Sequence, residues 1–196
     1  MENRLVMKKM ITLITVGFSL LCFSVQAQQS IGIKGGLNIA NVPNYGDNNR
    51  ISGNIGFYLN SKIDRNWSVQ PEILYSGEGV RYYSNSYGGE TTTQLSYIQV
   101  PIMFQYALTR NFYLELGPQI GVLVGAQEKD QDNNKYNVNS DYNKLAVSFA
   151  AGAGFHVNSQ FGLFARVNLG LTDITSGDNK NYYSNVGQLG ATLRLQ

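Results

Sequence analysis

Residues 112–124 read Phe-Tyr-Leu-Glu-Leu-Gly-Pro-Gln-Ile-Gly-Val-Leu-Val. From Phe112 every second residue is apolar (Phe112, Leu114, Leu116, Pro118, Ile120, Val122, Val124), and Tyr113, Glu115 and Gln119 fall between them. A period of two belongs to a β-strand, whose successive side chains point to opposite faces. One face of this strand is free of charge and the other is polar. What covers the uncharged face decides the fold.

Seven further segments repeat the pattern. Ile31, Ile33, Leu37 and Ile39 alternate with Lys34 and Asn38; Ile55, Phe57, Leu59 and Ile63 with Asn54, Tyr58 and Asn60. Trp67, Val69, Pro71, Ile73 and Tyr75 oppose Gln70 and Glu72, and Ile98, Val100, Ile102, Phe104, Tyr106 and Leu108 oppose Gln99 and Gln105. Leu145, Val147, Phe149 and Phe155 oppose Ser148, Gly152, Gly154 and His156. Phe161, Leu163, Val167 and Leu169 oppose Arg166 and Asn168, and Leu189, Leu193 and Leu195 oppose Gln188, Thr192 and Arg194. No Asp, Glu, Lys, Arg, Asn or Gln falls on any of the eight apolar faces. The polar faces are rich in Gly and hydroxyl groups rather than in the Lys and Glu of a water-washed sheet. Small residues suit a narrow lumen where side chains converge. The pattern therefore predicts eight strands closed into a barrel, apolar outward into lipid and polar inward.

The connections agree. Short links run around Asp64-Arg65-Asn66, Thr109-Arg110-Asn111 and Asn158-Ser159-Gln160, and long polar ones over 41–50, 77–95, 127–144 and 173–185. Short turns alternating with long loops mark an antiparallel up-and-down outer-membrane barrel, turns toward the periplasm and loops toward the exterior. Trp67, Tyr106, Phe112 and Phe161 lie near the short-turn end, as an interfacial aromatic girdle requires. Ile102, Phe104, Leu116, Val122, Phe149 and Val167 are expected to face lipid. Pro71, Pro101 and Pro118 resist the scheme, because each removes a ladder donor from a strand interior. Local bulges are expected there.

Arg4, Lys8 and Lys9 precede an uncharged apolar run from Met10 to Phe23, followed by Val25-Gln26-Ala27. This is the layout of a cleaved signal peptide over residues 1–27, with the barrel domain over 28–196. Met7 begins a more typical signal than Met1, so translation could start at either. The apolar run is too short to cross a bilayer as a helix. Of the 196 residues, 43% are hydrophobic and only 14% charged, with 21 Gly, 13 Tyr, 9 Phe and one Cys. That much Tyr, Phe and aliphatic residue excludes disorder, and a single Cys excludes an internal disulfide framework. Of fifteen bases and thirteen acids, the signal takes three and one, leaving twelve of each. A neutral chain gives no footprint for nucleic acid.

The barrel sequence resembles the PorT-like outer-membrane β-barrel domain family. The resemblance rests on IGIKGGLN (31–38), VQPEILYSGEG (69–79), YIQVPIMFQY (97–106), LELGPQIGVLVGA (114–126), AAGAGF (150–155) and FARVNLGLTDI (164–174). It implies the same barrel and an outer-membrane location in a Gram-negative cell, with some relatives taking part in protein secretion. The chain departs from many such barrels in ending Leu195-Gln196 rather than in an aromatic residue.

An eight-stranded barrel is just wide enough for side chains to fill, so a plugged lumen is expected rather than a channel. Lys34, Glu72, Glu115, Arg166 and Arg194 are the candidates for an internal ion-pair network, because buried charges must be paired. His156 is the only histidine. Ser148 shares its strand face but stands about 26 Å away at strand rise, too far for a catalytic pair. In the third long link Asp130, Asp132, Asn134 and Asp141 fit positions 1, 3, 5 and 12 of a calcium loop, yet Lys135 stands where the turn needs Gly. A solvated polar loop is the simpler reading, and no cofactor is expected. Tyr45, Tyr82, Tyr83, Tyr87, Tyr136, Tyr142, Tyr182 and Tyr183 in the long links suit a surface protein or glycan as partner. The sequence thus points to a monomeric, non-enzymatic barrel serving envelope structure, surface interaction or secretion. Its rivals are a lipid-modifying barrel enzyme and a periplasmic lipocalin-like carrier.

Overall fold

The computed structural model describes residues 29–43, 48–84, 89–131, 134–175 and 182–195. The proposed signal peptide lies outside them. Nine strands follow in order: β1 (Gln29–Asn41), β2 (Asn48–Lys62), β3 (Trp67–Ser84), β4 (Gly89–Ala107), β5 (Phe112–Lys129), β6 (Lys135–Asn137), β7 (Leu145–His156), β8 (Phe161–Gly170) and β9 (Asn185–Arg194). Strand β6 is a three-residue ribbon on the end of β5, Lys129 opposite Lys135. The other eight form the wall. Strand β1 pairs antiparallel with both β2 and β9, β4 pairs with β5 and β5 with β7, so every stave has two neighbours and the sheet closes. Closure removes the unpaired edges that an open eight-stranded sheet would expose.

The faces fall as the alternation requires. Leu116 and Val167 each expose half their surface outward, whereas Glu72 and Arg166 on the other face are 3% and 2% exposed. This orientation is opposite to that of a water-soluble carrier, whose apolar face would line the cavity. Aromatic rings fill the lumen by lying over glycines of the next strand. Tyr58 is paired with Gly32 and Tyr113 with Gly154. A Cβ on Gly32 or Gly154 would sit 2.3 or 2.1 Å from the tyrosine ring, so the ring occupies the space that any side chain there would need.

Two expectations are corrected. The bulges do not sit at the prolines. Pro71 pairs with Ile102, Pro101 with Gln119 and Pro118 with Phe149, and the register is the same on either side of each. The register shifts instead occur in the β2–β3 ladder between Asn49 and Asn54, and in the β4–β5 ladder between Ser96 and Tyr97. Proline's fixed φ lies within the extended range, so losing one donor interrupts the ladder without adding a residue to it. Gly79, beside the first shift, has φ 128°, a conformation that favours glycine. Secondly, the link 77–95 is not a loop. Strands β3 and β4 continue pairing from Gly77–Ser96 up to Ser84–Gly89, so the segment is a β-ribbon that prolongs the wall. The β-branched run Thr91-Thr92-Thr93 and the nearby Val80 carry the propensity for it.

Candidate functional site

Four strands meet inside the lumen to form an ionic layer. Arg166 on β8 spans two carboxylates. Its Nη1 and Nη2 donate to Glu72 Oε2 and Oε1 at 2.9 and 2.8 Å, and its Nε donates to Glu115 Oε1 at 2.8 Å. Lys34 on β1 donates to Glu72 Oε1 at 3.2 Å and lies 3.9 Å from Glu115. The Lys34 ammonium also sits 3.9 Å above the ring of Phe164. Gln70 and Gln105 complete the carboxylates' shell, donating to Glu72 at 2.8 Å and to Glu115 at 3.0 Å. Two cations face two anions, all four side chains fully buried, so the layer is neutral and bonded throughout. Arg194, the fifth residue expected here, is not part of it. It stands at the short-turn mouth among the lining of a separate cavity.

Above the ionic layer the lumen becomes amide-rich and then apolar. Asn38 Nδ2 donates to Ser76 Oγ and to the Gly77 carbonyl, both at 2.8 Å, while its Oδ1 accepts from Gln188 at 3.1 Å. Higher still, Glu78 accepts from Gln99 at 2.5 Å and from Ser184 at 2.7 Å. It borders a void of about 20 Å³, with Gln119, Asn168 and Ser148 on the far side. No ion pair to this buried carboxylate is found among the described residues. A buried charge held by neutral donors alone is costly. Glu78→Gln is therefore expected to raise stability by about 1 kcal/mol, read as a higher urea midpoint in micelles, whereas a lower midpoint would mean that the charge itself is used.

An apolar cluster then closes the exterior end. Val42, Val80, Leu95, Tyr97, Tyr142, Ile174 and Tyr182 form its buried centre. Tyr142, Ile174 and Tyr182 come from the third and fourth long links, which turn inward over the mouth, and Val42 from the start of the first. Asn143 laces the third link to the fourth, donating to the carbonyls of Asp173 and Thr175 at 3.0 and 2.7 Å. Burial acts to raise the Asp173 carboxyl, but the N–H groups of Thr175 and Tyr182, each at 3.0 Å, outweigh it and hold the group below the usual carboxylate range. Tyr142 and Tyr182, read from the sequence as outward recognition residues, are thus part of the plug. Tyr136 and Tyr183 remain exposed. Tyr45 and Tyr87 lie outside the described residues.

The opposite end is open. A vestibule of about 780 Å³ is lined by Tyr58, Tyr113, Gln70, Gln105, His156 and the cations Lys62, Arg65, Arg110 and Arg194. His156 lies with its ring 5.1 Å from that of Tyr113. Ser148 borders the upper void instead, and among the described residues no Asp or Glu lines the vestibule. Hydroxyls of Ser68, Thr109, Ser159 and Thr192 share the lining with the histidine, but among the described residues no carboxylate lines it to orient the ring.

The model of the family described as "Outer membrane protein beta-barrel domain" matches residues 26–176. The chain belongs to that family. Among solved structures this outer-membrane barrel is similar to Ail, the attachment invasion locus protein of Yersinia pestis, at 15% identity and TM-score 0.52, over 87% of this chain and 100% of that one. It is similar as well to Neisserial surface protein A, at 11% identity and TM-score 0.54, over 84% and 96% of the two chains. At such identities the likeness shows the fold, an eight-stranded antiparallel closed barrel. No curated protein matches the chain in sequence.

The chain presents Phe104, Leu116, Val122, Phe149 and Val167 on the outer face of the barrel, each 41–50% exposed; Ile102 shares that face and is partly covered. Trp67 pairs with Tyr106 across β3 and β4, ring centroids 4.9 Å apart, next to the short turns. Phe112 and Phe161 begin β5 and β8 at the same end, 37% and 50% exposed. In the third long link Asp130 accepts from the backbone N–H and the amide of Asn134 at 2.8 and 3.0 Å, and Asp141 accepts from Ser140 at 2.9 Å. Asp132 lies outside the described residues. Among the described residues no group of three or more His, Cys, Asp or Glu side chains could hold a metal ion.

Proposed function

We propose that this protein is a non-conducting, non-enzymatic monomer that works through its ends, with surface interaction at the exterior as its principal role. The observation that carries this is the double closure of the lumen, a bonded ionic layer below and an apolar cap above. Solutes have no path through the barrel, and the exterior ribbon and links are built on a rigid support suited to recognition. The motifs quoted above favour the narrower PorT-like group, in which support of protein secretion is the second reading.

Ail of Yersinia pestis has been crystallised with the heparin analogue sucrose octasulfate. Here segments 41–50, 77–95, 127–144 and 173–185 carry, besides the buried Glu78, eight acids against six bases, which disfavours a sulfated glycan and favours a neutral or basic partner surface. The refolded protein in planar bilayers is expected to give no discrete conductance steps at 100 mV. Cells displaying it should retain basic and neutral protein surfaces. Variants with 127–144 or 173–185 shortened should lose that retention while remaining heat-modifiable on gels. Regular conductance steps would overturn the non-conducting reading, and retention unchanged by loop shortening would overturn the surface role. A change in lipid A acylation abolished by His156→Ala would establish the enzyme instead.

A further inference from the structure

We infer that the vestibule at the short-turn mouth binds a small periplasmic polyanion, a ligand bearing two or more carboxylate or phosphate groups. The inference goes beyond the surface role. It depends on the barrel's orientation in the membrane, not on what the exterior binds.

Three observations carry it. The cavity holds about 780 Å³, within the range of small-molecule clefts. Lys62, Arg65, Arg110 and Arg194 line it, and among the described residues no Asp or Glu does. Finally, the excess is not confined to the cavity wall. The short-turn end has those four cations against the single acid Asp64, whereas the exterior segments carry an excess of acids and the ionic layer is neutral. A chain with twelve bases and twelve acids after residue 27 has sorted its charge by end.

The physical consequence is a focused positive potential. The walls are of low dielectric, the floor is a neutral layer of bonded side chains, and field lines leave through one opening. Three of the four cations are arginines, whose planar fork matches carboxylate and phosphate oxygens two at a time. Arg194 continues the inward row of β9 past Gln188 and Thr192, both buried. Headgroups of the surrounding lipid lie outside the wall and cannot follow it there. The site therefore suits a soluble or cell-wall-borne anion rather than a lipid.

The test uses the refolded full barrel in zwitterionic nanodiscs, with tetraglutamate and inorganic tripolyphosphate as separate probes. Calorimetry and the NMR signals of the His156 ring follow each titration. At least one probe is expected to bind saturably with a dissociation constant below about 1 mM and to shift His156. Arg194→Gln combined with Lys62→Gln should weaken that binding about tenfold or more, and raised NaCl should weaken it as well. Lys135→Gln combined with Lys144→Gln, at the other end, should leave it unchanged. Should the first pair fail to fold, Arg65→Gln with Arg110→Gln, both exposed in turns, provides the same comparison. The stronger probe separates carboxylate from phosphate chemistry. The proposal is overturned if neither probe binds saturably, if tetraglutamine binds equally well, or if both variant pairs behave alike. A His156 shift seen only in nanodiscs of anionic phospholipid would assign the cations to lipid and also overturn it.

Discussion

Replacing Arg166 by methionine is expected to cost about 3–5 kcal/mol of stability. The guanidinium makes three bonds of 2.8–2.9 Å to two buried carboxylates. Without it Glu72 and Glu115 face Lys34 alone, so one negative charge is left uncompensated where water is scarce. The measurement is urea unfolding in detergent or lipid, followed by tryptophan emission from Trp67. Removing charge in balance should behave differently. Arg166→Met combined with Glu115→Gln leaves Lys34 and Glu72 as a neutral pair and should recover much of the loss. If Arg166→Met alone stays within about 1 kcal/mol of wild type, water or counter-ions reach the layer, and the lumen is not closed there.

A charge on the outer face should be nearly as damaging, but only at the right depth. Leu116→Arg places a guanidinium near the middle of the part of β5 that pairs with β7 (112–122), on the face opposite to Glu115, and is expected to cost about 2–4 kcal/mol in a bilayer. Val157→Arg lies just beyond His156 at the short-turn end, where the side chain reaches the interface, and should cost about 1 kcal/mol or less. The contrast between the two positions is the informative quantity. In a protein with water on that face, Leu116→Arg would be harmless and Val157→Arg no milder. Equal costs at the two depths would contradict a membrane around the apolar face.

The wall could be read from the chain because strand alternation is a local property. Residues 112–124 or 161–171 show their two faces without reference to any other segment, and a one-residue slip would put Glu115 or Arg166 into lipid. The placement of Trp67, Tyr106, Phe112 and Phe161 at one end of the wall was legible for the same reason, since each is adjacent to a short turn. Four members of the internal network could be named because a charge on the polar face of a closed barrel has no water to turn to. Their partners could not be assigned. Arg166 meets Glu72 across 94 residues, and only the pairing of staves and their relative stagger sets the height of each side chain. Arg194 shows the limit. It shares the polar face of β9, but its position near the end of the strand places it in the vestibule rather than among the ion pairs.

The exterior end was the least legible. Tyr142 and Tyr182 sit in polar, glycine- and asparagine-containing stretches and read as exposed. They are buried because the third and fourth links fold over the mouth and tie to each other through Asn143 and Asp173. Ribbon formation over 77–95 likewise depended on two segments finding a common register. The amino-acid sequence by itself determined that eight amphipathic strands must close with their apolar sides outward, since any other arrangement puts uncharged faces in water or charged ones in lipid. Only the tertiary structure decided which charges meet, that the exterior end is sealed, and that four cations line an open vestibule. Those facts depend on the heights and neighbours that ring closure imposes on residues far apart in the chain.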